Sequence, residues 1–356
     1  MYGWLIVFTL SVPNVTPAAN QDGLRPVNLR TDLSQLADLI EIAFADTMDH
    51  HGRAAVREMR ALSHMGGLTS LISVNNELIQ GMGMGFVWID GGKLVGNVSV
   101  YPASLPRGAA RIFGSTWMIA NVATHPDYRG RGIARRLMEA SLDSIRKRAA
   151  LMRGGNPRAV AILQVEEKNT PARQLYETLG FRTERTWNHW KRSSMSRVMM
   201  PRQDSRIYIS RRRRSEWRGE FELAQRIRPA ERGGIGWLRP TFPGLFTASL
   251  WSLLSDLANL RSVEHLVIRS EDERAVLAAL WIENALAASS IQLTLMVDPD
   301  YTGLYDDALI SYAVRRFGAS SPLTIEHPAD ETVTNALLAR YHFHVQRTFV
   351  NMRWET

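Results

Sequence analysis

The chain of 356 residues contains no cysteine. This absence excludes disulfide bonds, catalysis by a thiolate and zinc sites ligated by cysteine. Lysine is also scarce and occurs only at positions 93, 147, 168 and 191, so arginine supplies nearly all of the net charge of +8. A basic balance is compatible with nucleic acid, anionic lipid or a polyanionic cofactor as partner, and equally with a bias in composition.

Long apolar runs are missing too. No window approaches the ~18 apolar residues of a membrane-spanning helix, so we expect no membrane partner and a cytoplasmic protein. Residues 4–10 are apolar, but no basic residue precedes Trp4 as a secretory signal requires, and residues 1–23 are interpreted as a disordered or misassigned leader. The length suggests about two domains, since domains usually have ~100–200 residues.

The stretch around residues 117–148 organises the chain. An apolar run from Trp117 to Val122 leads into a loop with two glycines and two arginines, residues 129–132, and a helical pattern follows to Arg148. Glycine lets the backbone approach a ligand, and a helix start presents unpaired N–H groups. The combination predicts an anion site, most often for phosphate. The loop lacks the glycine spacing of a Walker loop or a Rossmann fingerprint.

A second block follows. Residues 161–165 read as a strand, and the segment Asn169 to Phe181 reads as a helix with Thr170 as N-cap, Pro171 at the first position and Gly180 past the end. Residues 181–190 then predict another strand.

The preceding region contains three predicted elements. Residues 24–30 read as the first strand, and Thr31 or Asp32 as the cap of a first helix. Residues 86–100 predict a hairpin around Gly91-Gly92. His50 and His51 are not accompanied by the spacing of further metal ligands. They are therefore interpreted as a solvated loop, with contact to substrate as the alternative.

The C-terminal half repeats these motifs. Residues 295–303 echo 122–130, and residues 336–343 echo 174–181, which indicates tandem domains of one fold. Tyr305, Asp306 and Asp307 stand at the helix start of the second copy, where two carboxylates and a bulky ring would oppose a pyrophosphate. Leu338 stands where Tyr176 stands.

The order Arg129-x-x-Gly132-x-Ala134, together with its strand, its helix and the second block, resembles the pyrophosphate-binding signature of the GNAT superfamily of acetyl-CoA-dependent N-acyltransferases. The resemblance covers roughly residues 24 to 191. It implies an α/β fold with a mixed sheet, in two tandem GNAT-like domains. The expected boundaries are a leader at 1–23, a catalytic domain at 24–195, a basic linker at 196–219 and a degenerate domain at 220–356.

The resemblance also implies the chemistry. Acetyl-CoA is the expected acyl donor, a primary amine the acceptor, and no metal takes part. Tyr176 stands at the general-acid position of the family, and a phenol stays protonated at neutral pH. The residues implied to bind the cofactor are Asn121, Val122, Ala123, Thr124, Arg129, Gly130, Arg131, Gly132, Ile133, Ala134, Asn169, Arg173 and Tyr176.

The general base is left open. Ribosomal-protein alanine acetyltransferases of this superfamily carry a glutamate where this sequence has Gln164, and a glutamine cannot accept the proton. Glu166 shares a strand face with Gln164, about 6.6 Å along the strand, and is the candidate to act through water. Direct attack by an already neutral amine is the alternative.

Two other functions remain open. A catalytically inactive GNAT module would bind CoA or a partner as a sensor. A nucleic-acid adaptor would use the arginine run at 211–214, which reads equally as an exposed linker strand. For the enzyme we expect no nucleic acid, and a monomer or a homodimer.

Overall fold

A computed structural model describes residues 22–45, 48, 50–64, 84–103, 115–151, 158–196, 206–247, 261–285 and 288–356. The chain divides into two compact units. The first comprises Met1–Tyr101 and Ile119–Asp143, and the second comprises Pro102–Met118 and Ser144–Thr356.

The first unit combines an antiparallel meander with helices. Its elements, in chain order, are β1 (Gly23–Pro26), α1 (Leu29–Ala43), α2 (His50–His64), β2 (Phe86–Asp90), β3 (Lys93–Pro102), the C-terminal part of β4 (Ser115–Thr124) and the first part of α3 (Ile133–Leu151). Strand β2 pairs antiparallel with β1 and β3, and β4 is the next neighbour of β3. The predicted hairpin is confirmed, with Gly91 and Gly92 at positive φ in its turn.

Helix α3 packs closely on β3 because Gly96 has no side chain. A methyl group at Gly96 would lie 2.7 Å from Ile133 Cγ2 and 3.0 Å from Leu137 Cδ1. Both α3 residues are buried. This contact holds the first turn of α3 against the sheet, and it therefore fixes the loop that precedes the helix.

The start of the chain differs from the prediction. Strand β1 ends at Pro26, and the cap of α1 is Asn28, whose side chain accepts a hydrogen bond from the Arg30 N–H. Asp32 instead forms a buried ion pair with Arg25. His50 and His51 are the first two residues of α2 rather than a loop.

The second unit contains the remaining elements. Ser115–Met118 of β4 and the end of α3 are followed by β5 (Ala159–Glu166), α4 (Thr170–Thr178), β6 (Arg182–Arg192), β7 (Ser210–Arg211), α5 (Trp217–Ile227), α6 (Pro243–Phe246), β8 (Arg261–Arg269), β9 (Val276–Ala285), β10 (Ile291–Val297), α7 (Tyr305–Phe317), β11 (Leu323–Pro328), α8 (Thr332–Arg340) and β12 (His344–Glu355). The strand order is β4-β5-β12-β6-β11-β10-β9-β8-β7.

The elements follow one order twice along the chain. A hairpin, a strand, a 3₁₀ turn, a helix, a strand, a helix and a long strand run from β2 to β6, and again from β8 to β12. We call β1 to β6 the first repeat and β7 to β12 the second repeat. The 3₁₀ turns Pro126–Tyr128 and Pro299–Tyr301 occupy the matching place, so the repeat predicted from the sequence is confirmed.

The two repeats exchange their last strands. Strand β12 pairs antiparallel with β5 of the first repeat, and β6 pairs antiparallel with β11 of the second. The two long strands also pair with each other. Neither repeat therefore completes its own sheet, because its penultimate strand depends on a strand supplied by the other.

The segment predicted as a basic linker contains regular structure and paired arginines. Strand β7 and the start of α5 lie inside residues 196–219. Arg211 pairs with Glu264, and Arg212 pairs with Glu220, which is completely buried. Arg213 pairs with Glu273. These arginines of the run are bound to carboxylates of the second repeat.

The exchange can be tested with an engineered disulfide. Lys191 of β6 lies opposite Thr324 of β11, and the chain has no native cysteine. We expect Lys191→Cys/Thr324→Cys to lose both free thiols under mild oxidation as an intramolecular bond forms, with the free energy of unfolding raised by ~2–4 kcal/mol. The control Lys191→Cys/Glu355→Cys should keep both thiols. Retention of both thiols by the first variant would contradict the exchange.

Candidate active site

The loop between β4 and α3 leaves its backbone exposed. His125 caps the 3₁₀ turn by accepting from the Asp127 N–H, and its own N–H donates to the Val95 carbonyl 2.8 Å away. Gly130 and Gly132 then adopt φ of +77° and +75°, and a Cβ at either would meet no atom within 4 Å. This left-handed backbone is where glycine is favoured, so the loop stays narrow and open.

Four consecutive N–H groups at this helix start lack an acceptor. Within the described part of the chain, no backbone hydrogen bond is donated by Arg131, Gly132, Ile133 or Ala134. The first N–H groups of any helix have no partner in the helix itself, and the helix dipole adds partial positive charge there. The loop therefore has the exposed N–H groups and the partial positive charge that favour an anion.

Cationic side chains surround these N–H groups. Arg129 and Arg131 are exposed. The Arg131 guanidinium lies 4.8 Å from the Tyr128 ring centre and 3.8 Å from the Asp90 carboxylate, and Arg136 lies over Trp88. Arg131 and Arg136 are therefore held by aromatic rings near the start of α3, where the charge of the arginines favours a polyanionic group.

Asn121 has a backbone conformation that was not predicted from the sequence. It has φ +50° inside β4, and its carbonyl accepts from Asn97 Nδ2 at 2.8 Å. Its side-chain Nδ2 donates to the hydroxyl of Tyr101, 3.3 Å away. Burial raises the pKa of Tyr101, although its hydrogen bonds to Ser99 and Asn121 act in the opposite direction. Asparagine tolerates left-handed backbone better than most residues. The positive φ of Asn121 thus departs from extended backbone immediately before Val122, Ala123 and Thr124.

In the second unit, Asn169 begins α4. Its Oδ1 accepts from the Ala172 N–H at 3.2 Å, so Asn169 is the N-cap and the predicted cap, Thr170, is the first helical residue. Arg173, one turn later, donates to the Glu167 carbonyl at 3.4 Å. Both side chains stand at the exposed start of the helix.

Tyr176 is buried on α4. Only 6% of the residue is exposed, and its ring centre lies 5.9 Å from that of Phe181. Burial raises the pKa of Tyr176 to about 12. With this raised pKa the phenol is protonated at any physiological pH. It has no hydrogen-bond partner among the described residues.

Both candidate residues on β5 have partners on β12. Gln164 Nε2 donates to Asn351 Oδ1 at 3.1 Å, and Glu166 Oε1 lies 3.3 Å from Arg347 Nε. The sequence could not show these partners, because they come from the exchanged strand of the second repeat.

The predicted site residues thus fall into two groups. Asn121 to Ala134 belong to the first unit, and Gln164 to Tyr176 belong to the second. Each group is ordered locally: the first by the helix start and by Gly96, and the second by the cap of α4 and by β12.

The second repeat fills its own helix start with a carboxylate. Asp306 is 1% exposed and accepts from the Gly303 N–H at 2.8 Å and from the Thr334 hydroxyl. Tyr305 stacks on Tyr301 with ring centres 4.7 Å apart. The negative charge of Asp306 would oppose a phosphate at this helix start, as the sequence indicated.

Arginines also enter the second repeat beside its parallel strands. The ladder between β10 and β11 ends at Leu293 and Ile325, although both strands continue. Just beyond, Arg239 donates to Thr294, and the buried Arg228 contacts Glu331 at 2.8 Å. Burial would raise the pKa of Glu331, but Arg228 and His327 hold it far below the usual carboxyl range. The arginines here are thus paired with groups of the same repeat. Leu338, at the position that matches Tyr176, is buried.

Among the described residues, no cluster of three histidines or carboxylates is arranged to hold a metal ion. Within the same residues, no helix combines the length and apolarity needed to cross a membrane.

Comparison with known proteins agrees with the fold. Residues 49–181 match the sequence profile of the acetyltransferase (GNAT) family. A GCN5-related N-acetyltransferase from Sphaerobacter thermophilus is similar with a TM-score of 0.58 at 17% identity, over 93% of this chain and 95% of that chain. A tandem GNAT protein from the clavulanic acid biosynthesis pathway gives 0.51 at 14% identity, over 93% and 98% of the two chains. None of the curated proteins matches the sequence.

The α/β fold is therefore that of the tandem GNAT proteins, and residues 49–181 are the part of the chain that the acetyltransferase (GNAT) family profile matches.

Proposed function

We propose that the protein is an N-acetyltransferase that transfers the acetyl group of acetyl-CoA directly to a primary amine. The observation that carries the proposal is the contrast between the two helix starts. The N–H groups of Arg131 to Ala134 have no acceptor among the described residues. In the second repeat, the Leu304 N–H donates to the Tyr301 carbonyl, and the buried carboxylate of Asp306 lies in the first turn of α7. The loop of the first repeat is therefore the proposed site of the CoA pyrophosphate.

The proposed cofactor roles are those that the family resemblance implies for these residues. The N–H groups of Arg131, Gly132, Ile133 and Ala134 would bind the pyrophosphate, with Arg129 and Gly130 at the entrance. The backbone after Asn121, from Val122 through Ala123 to Thr124, would pair with the pantetheine and offer an N–H to the developing oxyanion. Asn169 and Arg173, at the start of α4, would contact the cofactor arm.

In the transfer, the amine nitrogen attacks the thioester carbonyl, the carbon–sulfur bond breaks, and the amine loses one proton while the thiolate gains one. Tyr176 is the proposed general acid. The raised pKa keeps the phenol protonated until transfer. Because a phenolate buried at this position is unfavourable, water must return a proton to Tyr176 as the phenol gives its own to the thiolate.

Glu166 is the proposed proton acceptor, acting through water. Arg347 holds one of its oxygens, and the other has no partner among the described residues. The amide of Gln164 cannot take this role. Loss of the proton to bulk water before attack is the competing route.

The other functions are separated by simple outcomes. A CoA sensor would bind acetyl-CoA without turning over any amine. A nucleic-acid adaptor would bind DNA or RNA with a steep dependence on salt. The pairing of Arg211, Arg212 and Arg213 with carboxylates weighs against the adaptor.

Gly132→Glu tests the cofactor site. The carboxylate enters open space beside the unpaired N–H groups, so acetyl-CoA affinity should fall by ~100-fold or more, equivalent to about 2.7 kcal/mol. Affinity is measured by calorimetry, and folding by circular dichroism. Gly303→Glu in the second repeat carries the same backbone strain, since its φ is +90°. It should leave the affinity unchanged. A folded Gly132→Glu variant with wild-type affinity would sink the assignment of the loop.

Tyr176→Phe tests the general acid. The ring still packs, so CoA affinity and stability should change little, while the rate of acetyl transfer falls by ~10²–10⁴-fold. The measurement is single-turnover kinetics with a saturating amine. The control Leu338→Ala, at the matching position of the second repeat, should lower stability by ~2–5 kcal/mol without changing the chemical step. Wild-type transfer by Tyr176→Phe, with chemistry rate-limiting, would leave Tyr176 a packing residue.

A further inference from the structure

A cavity lies within the second unit, between the sheet and the segment 230–240 that follows α5. Its empty volume is about 440 Å³, including the mouth. The strands contribute Thr116, Ile162, Glu184, Asn351 and Arg353 to its wall.

Three polar atoms converge on Gly233 at this cavity. A Cβ at Gly233 would lie 3.7 Å from Trp187 Nε1, 3.8 Å from Glu184 Oε2 and 4.0 Å from Asn351 Nδ2. Glycine has no Cβ, so this side of the cavity stays open between a carboxylate oxygen and two nitrogen donors.

Buried hydrogen-bond donors without an acceptor lie in the wall of the cavity and beside it. Trp187 is 1% exposed and Asn351 is 2% exposed. Trp187 Nε1 and the hydroxyl of Thr116 have no hydrogen-bond partner among the described residues. Asn351 uses its Oδ1 to accept from Gln164, which leaves Nδ2 without an acceptor in the same part of the chain. Buried donors without acceptors destabilise a fold unless a ligand or water accepts from them.

Glu184 gives the cavity an acidic side. Its side chain is 12% exposed, and Arg353 Nη1 lies 3.5 Å from Oε1, so Oε2 is the oxygen on the Gly233 side. Burial raises the pKa of Glu184, and Arg353 opposes that rise. A ligand ammonium at Oε2 would stabilise the ionised carboxylate further.

The opposite wall is built rigidly. Within the segment 230–240, the Ile235 N–H donates to the Arg239 carbonyl and the Arg239 N–H donates to the Gly236 carbonyl, both at 3.0 Å. Ile235 is buried, and Arg239 is tied to Glu283 at 2.7 Å. The cavity is therefore formed before any ligand enters.

We propose that this cavity binds the acceptor substrate, and that the acceptor is a small primary amine with a carbonyl oxygen next to its amino group, as in an amino acid amide. The amino group binds as an ammonium beside Glu184 and gives one proton to water before the neutral amine attacks, and the oxygen accepts from Asn351. Naming this ligand as the acceptor rests on the proposed acetyltransferase function. Ile162 and Gln164 share one face of β5, and Gln164 bonds to Asn351, so the cavity lies on the face of β5 that also carries Glu166.

Calorimetry on the full chain without acetyl-CoA tests the site. The probes are glycinamide, L-alaninamide and L-leucinamide, with ethylamine lacking the oxygen and N-acetylglycinamide lacking the cation. At least one amino acid amide should bind at one site, and both incomplete probes at least ~10-fold more weakly. If none of the amides binds, or if an incomplete probe binds equally well, the proposal is overturned.

Variants place the binding in this cavity. Glu184→Gln keeps the shape and removes the charge, and should weaken the amide by ~10-fold or more. Thr116→Val is a second, isosteric change that should weaken it less, and Glu177→Gln, an exposed residue of α4, should have no effect. Wild-type affinity in folded Glu184→Gln would refute the site.

Turnover separates this proposal from the function on which it rests. Thiol release from acetyl-CoA is measured with the amide that binds, and Glu184→Gln should raise KM while kcat changes little. Bound amide without thiol release, while other amines are acetylated, would refute the acceptor role alone. Acetyl-CoA that fails to bind the wild-type chain would refute the acetyltransferase function, and the amide titration would still decide the cavity.

Discussion

A helix start has N–H groups that its own backbone cannot satisfy, and this constraint distinguishes the two halves of the molecule. The second repeat places the buried carboxylate of Asp306 in its first helical turn, where Asp306 accepts from the Gly303 N–H just before the helix. The first repeat leaves Arg131 to Ala134 open and places Gly130 and Gly132 where a side chain would narrow the approach. The two helix starts of one fold thus differ in that the second carries a buried carboxylate.

Through the exchanged strands, the second repeat contributes structure and side chains to the first. Strand β12 gives β5 its antiparallel neighbour, and it supplies the partners of Gln164 and Glu166. It also carries Asn351 and Arg353 into the cavity, whose other wall is the segment 230–240. The second repeat therefore shapes the face of β5 on which the acceptor is proposed to bind, although its own helix start is blocked.

The sequence was most informative where a feature is local. Glycine spacing, the hairpin around Gly91 and Gly92, and the echo of one 3₁₀ turn in the other all depend on neighbouring residues, and all three appear in the structure. The helix caps were displaced, because Asn28 and Asn169 compete with nearby Thr and Asp residues for the same role.

What the sequence could not give depends on distant contacts. The left-handed conformation of Asn121 is held by Asn97 and Tyr101 on the neighbouring strand. Arg347 reaches Glu166 only because the last strands are exchanged. The arginine run resembled a nucleic-acid patch because its partners, such as the buried Glu220, lie elsewhere in the chain.

We propose that the first repeat alone binds CoA. Titration calorimetry of the full chain with CoA tests this directly by measuring the number of sites. We expect one site per chain. Two equivalent sites would show that Asp306 does not close the second repeat, and no binding at all would contradict the assignment of the open helix start.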